Sequence, residues 1–265
     1  MSALALGLDR TLLELKMYSR EKEAVFFSFL FPILLLALFS VIFGSQFDGA
    51  DGGMTAGGYF LPGMLSAGVL LTSFQTMAMS VTVERDDGTL KRLRATPMPP
   101  VAYFFGKVGL VAVSSTVQVA LLLLVARLAF GVELPSTADR WAVFALVFVL
   151  GVFGGTVLGV AYSSMATART VGAVVLGPML VLQFISGVYI AFDDVPQWLQ
   201  QVASLFPLKW IAQGMRSVFF PEQLAAAEMA GSWETGRTAL VLFAWAVGGL
   251  VVCALTFKWF KRGTT

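Results

Sequence analysis

The 265-residue sequence is 57% hydrophobic and 13% charged, with a mean hydropathy of +0.81, far from the soluble globular average, so it reads as an integral membrane protein. A net charge of +2, with basic residues spread over chain ends and loops, gives no basis for nucleic-acid binding. No histidine and one cysteine, Cys253 in an apolar run, largely exclude metal sites, thiol catalysis and histidine-based acid–base chemistry, and leave no disulfide framework.

In residues 1–23, Leu4, Leu8, Leu12 and Leu15 recur at helical spacing, with Asp9, Arg10, Glu14, Lys16, Arg20 and Lys22 mostly off that stripe. This predicts an amphipathic helix lying along the membrane surface. The charges follow the leucines instead of preceding them, and no small-residue cleavage site closes the segment, so it reads as retained. A first span follows at 24–44, bent at Pro32, then a loop at 45–57 that has no lysine or arginine and is expected outside.

The second span, 59–83, is the most polar in its middle. Ser66, Thr72, Ser73, Thr76 and Ser80 share an arc of roughly 120° at about 100° per residue. Such a face can line a substrate path, or it can be packing, since small hydroxyl residues let membrane helices approach closely.

Residues 84–107 carry five basic and three acidic side chains between two long apolar segments. A bilayer core does not accept such a block, so it is expected to project into water as a loop. Asp86 or Asp87 is placed to cap a short helix that Thr96-Pro97 ends about two turns later. Leu90 and Leu93 then share one face with Lys91, Arg92 and Arg94 beside it, the shape of a short helix that docks into a groove on a partner. The order Glu84-Arg85-x-x-Gly88-Thr89-Leu90-x-x-Leu93-x-x-Thr96-Pro97, with Gly106-Lys107 opening the next span, resembles the loop between the second and third spans of ABC-2 type transporter permeases. The resemblance implies a coupling helix contacting a separate ATP-hydrolysing subunit, with Glu84, Asp87, Gly88, Thr89, Leu90, Leu93, Arg94, Thr96 and Pro97 as the coupling residues.

A third span is expected at 108–130, with Arg127 near its outer end as an interfacial anchor, and a fourth from Trp141. Gly151, Gly155, Gly159 and Ser163 lie four apart on the fourth, leaving a nearly bare face for tight helix packing. A short turn at 166–170 containing Arg169 leads to a fifth span at 171–192, which Gly177-Pro178 should break or kink. Gln183 and Ser186 in its outer half are candidates for a lined cavity or for ordinary helix–helix hydrogen bonds.

From 193 to 236, prolines and tryptophans cut apolar runs too short to cross a bilayer, which predicts short re-entrant helices. Pro207-Leu208 and Gly214-Met215-Arg216 are similar to the Asn-Pro-Leu and Gly-x-Arg pattern of the same family, with Phe206 where asparagine is common. Pro207, Lys209 and Arg216 are the candidate outer gate. Lys209 and Arg216, seven apart, share a helical face and point either to headgroups or to nearby acidic groups. A last span at 238–257 ends in the basic anchor 258–262.

Thirteen lysines and arginines fall on one side of this arrangement (1–23, 84–107, Arg169 and the tail) and five elsewhere, placing both chain ends in the cytoplasm and requiring an even number of spans. The expected fold is an all-α polytopic membrane domain over 1–265, with six transmembrane helices in a bacterial plasma (inner) membrane. No Gly-x-x-x-x-Gly-Lys-Ser/Thr phosphate loop occurs, so ATP and Mg are expected on a partner chain, with no cofactor or metal bound here. The resemblance implies the permease subunit of an exporter of amphipathic drug-like or lipid substrates. It would work by alternating access as a homodimer, or a heterodimer with a similar permease, on two ATPase subunits. A polysaccharide or glycolipid exporter, a passive channel or structural protein, and an intramembrane enzyme stay open beside it.

Overall fold

The computed structural model describes residues 3–47 and 54–257; the basic stretch at 258–262 and part of the loop expected at 45–57 lie outside them. Among the described residues every regular element is helical. They are α1 Ala3–Tyr18, α2 Lys22–Phe47, α3 Ala56–Asp86, α4 Thr89–Arg94, α5 Pro100–Phe130, α6 Ala138–Ser163, α7 Val171–Ile185, α8 Gln197–Ala203, α9 Pro207–Phe219 and α10 Thr235–Thr256. Five of these, α2, α3, α5, α6 and α10, are long and apolar enough to cross a membrane, as expected of a multi-pass membrane protein.

The bundle is organised around α3. Its apolar window is 72% buried, against 22% for α2 and for α10, and it packs on α2, α5, α6, α7 and α9. A helix walled in by protein can carry hydroxyls and glycines, whereas the outer helices present leucine, valine and phenylalanine to the hydrocarbon. Two helices contain a wide π-helical turn. In α2 it covers Phe26–Leu30, ahead of Pro32, whose ring would otherwise meet the carbonyl of Ser28. In α3 it covers Leu71–Gln75, and Thr76 Oγ1 donates to the Leu71 carbonyl at 3.1 Å.

Three expectations are corrected. The charged block does not simply project into water, because α3 runs on to Asp86 and α5 begins at Pro100, so Glu84 and Lys107 sit on long helices and are buried. The short helix is Thr89–Arg94, and Asp86 belongs to the preceding helix. The fifth apolar helix passes through Pro178 but ends at Ile185, not Phe192, because the chain turns at Gly187 with a φ of +74° that favours glycine. At 15 residues it is about 22 Å long, short of a hydrocarbon core of about 30 Å.

Candidate functional site

Two polar clusters stand at opposite ends of α3. The first lies where α3 hands over to α4. Gly88, at φ +78°, turns the chain, and Asp87 Oδ1 accepts from the Thr89 backbone N–H at 2.8 Å. Leu90 is completely buried in the main core and Leu93 packs against that core. Leu90 therefore fastens α4 to the body and is not an exposed knob; the outward face of this segment carries Lys91, Arg92, Arg94, Thr96 and Pro97 instead.

Three consecutive residues at the end of α3 each reach a different neighbour. Glu84 accepts from Lys107 Nζ at 2.7 Å and from the Tyr103 hydroxyl at 2.8 Å, both on α5. Arg85 donates to the carbonyls of Ser163 and Ala166, the latter at 2.9 Å. Asp86 Oδ2 accepts from the Ala168 N–H at 2.7 Å. The last two bonds clamp the turn between α6 and α7.

The N-terminal helix closes the cluster from the other side. Arg10 Nη2 lies 2.5 Å from Glu14 Oε1 and 3.5 Å from Glu84, and Lys107 Nζ lies 2.9 Å from Glu14 and 2.7 Å from the Ser80 hydroxyl. Two cations and two carboxylates, all buried, balance one another, which makes the site tolerable at low dielectric. Glycines allow the approach: a Cβ on Gly106 would fall 2.3 Å from Arg10 Cγ, and one on Gly109 2.3 Å from Thr11 Oγ1. The amphipathic pattern of α1 is therefore turned around. Gly7, Arg10, Thr11 and Glu14 face the protein, while Leu4, Leu8 and Leu12 are exposed.

The hydroxyl face of the second apolar helix is buried in helix packing. Ser66 and Ser73 donate to the carbonyls of Pro62 and Val69 at 2.7 and 2.5 Å, and Thr72 bonds the Gly68 carbonyl and Ser115. This face abuts the small-residue stripe of α6, where a Cβ on Gly155 would lie 2.1 Å from Ser73 Oγ and one on Gly159 2.4 Å from the Phe74 carbonyl oxygen. Gly151 faces Ile211 and Val69, and the Ser163 carbonyl receives Arg85 and Thr82. Ser66, Thr72 and Ser73 are completely buried in this chain, and Ser80 bonds Lys107 of the charge cluster. Gln183 accepts from the Tyr189 hydroxyl, and Ser186 is buried.

The second cluster surrounds α9. Pro207 occupies its first turn, where a missing N–H costs nothing. Arg216 does not reach outward; its Nε donates to Glu228 at 2.7 Å and one Nη to the Gly187 carbonyl at 2.9 Å. Lys209 is also buried, hydrogen-bonded to Gln213 and stacked 4.0 Å from the Trp210 ring centroid. Burial, offset in part by Glu228, pushes its ammonium down from 10.5 to about 8. Between these values the unfolded chain holds the extra proton, so stability should rise as pH rises from 8 to 10. Thermal melts should show that slope in the native chain and a smaller one in Lys209→Met; equal slopes would refute it.

Sequence reasoning missed Arg10, Glu14, Arg85, Asp86, Tyr103 and Lys107 as parts of a site. The available signal was the Arg10/Glu14 pair on one helical face and a lysine just inside an apolar span.

Comparison with known proteins places this geometry. The chain is 25% identical over 225 residues to the "Daunorubicin resistance ABC transporter permease protein DrrB1" of Streptomyces coeruleorubidus, covering 80% of this chain and 71% of the relative. It is 27% identical over 188 residues to the "Putative transport permease ycf38" of Porphyra purpurea, covering 69% of this chain and 64% of that relative. The model of the family described as ABC-2 type transporter matches residues 9–220, from the charged face of α1 to the end of α9. The chain, a helical multi-pass membrane protein, thus belongs to the ABC-2 type transporter family.

Proposed function

We propose that this chain is the permease subunit of an ATP-driven exporter that moves an amphipathic, drug-like or lipid substrate out of the cytoplasm or inner leaflet. The observation that carries this reading is the junction of α3 and α4. A basic exposed segment sits on a buried leucine anchor, and the last three residues of α3, Glu84, Arg85 and Asp86, connect to α1, α5 and the α6–α7 turn. A push on α4 would reach all of these elements, the arrangement a subunit driven by an external ATPase needs. The relative named for daunorubicin resistance supports a drug-like substrate.

ATP and Mg belong to two partner ATPase subunits, and two permeases, as a homodimer, enclose the path. The excess of lysine and arginine on the α4 side supports a bacterial plasma membrane orientation with both chain ends in the cytoplasm. On this reading α7 completes six spans together with the turn that follows it, α1 lies in the interface, and the short helices at 193–236 form re-entrant elements of an outer gate. ATP closure of the partner pushes α4, and the halves reorient by alternating access.

Tagged chain purified from its host should carry an ABC ATPase with it, and hydrolysis by the reconstituted complex should rise with some members of a panel of lipids and hydrophobic drugs. Because Leu90 is buried, the contact is best tested on the exposed flank. Lys91→Glu with Arg94→Glu should release the ATPase or uncouple hydrolysis, with melting lowered only slightly because pairs of exposed charges contribute up to about 1 kcal/mol. Normal assembly and transport in that double variant would refute the assignment.

A further inference from the structure

At the end of the molecule opposite α4, a cavity of about 160 Å³ is enclosed by the first turns of α3, the chain after α7, α9 and the turn carrying Glu228. A cavity of about 150 Å³ holds a benzene-sized guest. The wall is made largely of aromatic rings, among them Tyr59, Phe60, Tyr189, Phe192, Phe220 and Trp233. Three charged side chains line it, Asp193, Arg216 and Glu228, with a sum of −1, and the Lys209 ammonium lies 5.3 Å from the Phe192 ring in its wall. The surrounding segment 193–237 holds five acidic and three basic residues, so it is negative by two in a chain that is positive overall.

Glu228 is 5% exposed. Its Oε1 accepts from Arg216 Nε, while its Oε2 and the Arg216 Nη2 beside it have no hydrogen-bond partner among the described residues. A buried carboxylate oxygen left unpaired carries a desolvation cost that a donor in the cavity would remove. Aromatic faces beside a buried carboxylate attract a cation, the more so where water is scarce. The rings here already engage cations: Lys209 Nζ lies 5.3 Å and the Arg216 guanidinium 5.8 Å from the Phe192 centroid.

We propose that this cavity binds the ammonium group of an organic cation, held by Glu228 and the aromatic wall, with Asp193 drawing it in. Its role as a station for the transported molecule rests on the exporter reading; the binding itself does not. The cation can come from a soluble substrate or from a lipid headgroup.

The test is calorimetric titration of the full chain, without ATPase, in phosphatidylglycerol nanodiscs at constant ionic strength. Tetramethylammonium chloride should bind saturably, and uncharged tert-butanol and sodium acetate should not. Glu228→Gln should weaken binding by about tenfold, the effect of losing one charged contact. Asp193→Asn, a change at a more exposed position that leaves the Arg216–Glu228 pair intact, should weaken it by about threefold through the lost field. In discs of equal phosphatidylglycerol content, and so of equal surface charge, weaker apparent binding when the remaining lipid is phosphatidylethanolamine than when it is an uncharged glycolipid would assign the site to lipid headgroups, and unchanged binding to a soluble cation. Equal binding of tert-butanol, preference for acetate, or insensitivity to both substitutions would overturn the proposal. Cation binding here, together with failure of any ABC ATPase to co-purify with the chain from its host, would leave the site standing and remove the exporter reading.

Discussion

Lys107→Met is expected to lower the melting temperature of the detergent-purified chain by on the order of 10 °C. The Lys107 ammonium holds Glu14, Glu84 and the Ser80 hydroxyl at once, within 2.9 Å of each, and is almost completely buried. Its loss leaves two buried carboxylates facing Arg10 alone, and removing one partner of a buried ionic set costs about 3–5 kcal/mol. Adding Glu14→Gln restores neutrality and should recover much of the loss, since Arg10 and Glu84 can still pair. An unchanged melt in Lys107→Met would mean that water reaches the cluster and screens it. The same substitution should weaken coupling, because α1 and α5 would no longer share a charge with the end of α3.

The second large effect is expected at the contact of α3 with α6. In Gly159→Ala the added methyl would lie 2.4 Å from the Phe74 carbonyl oxygen, and a backbone atom cannot swing aside as a side chain can. Gly155→Leu meets Ser73 Oγ at 2.1 Å, and that hydroxyl is already engaged with the Val69 carbonyl. Overpacking of this kind costs about 1–3 kcal/mol, more for the leucine. Gly248→Ala on α10 is the control, as nothing lies within 4 Å of the added carbon. Both α6 variants should melt well below it; three indistinguishable melts would show that α3 and α6 do not meet through these glycines.

The contrast between these two sites explains what was legible in the residues. The glycine stripe of α6 announces close packing because its period matches one helical face, yet nothing in the stripe names the neighbour. That neighbour is α3 around Val69, Ser73 and Phe74; of the residues that as a pattern were equally suited to a substrate path, Ser66, Thr72 and Ser73 each bond a carbonyl of their own helix, Thr72 also meets Ser115 on α5, and Ser73 meets α6. Local periodicity shows which side of a helix is unusual, and only the assembled bundle shows what lies against it.

The sequence by itself determined the membrane class, the helical architecture, five of the long apolar segments and the family-like order from Glu84 to Pro97, because each rests on composition or on spacing within a few turns of chain. The tertiary structure decided the fate of the charges. Arg10 and Glu14 fall off the leucine stripe and in isolation belong in water; they are buried because Glu84 and Lys107, some seventy and ninety residues further on, supply the opposite charges at the one place where Gly106 and Gly109 let α1 approach α5. It likewise decided that Leu90 anchors rather than docks and that Arg216 turns inward to Glu228. A charge or a leucine is placed by the free energy of its whole surroundings, and here those surroundings are made by residues far away in the chain.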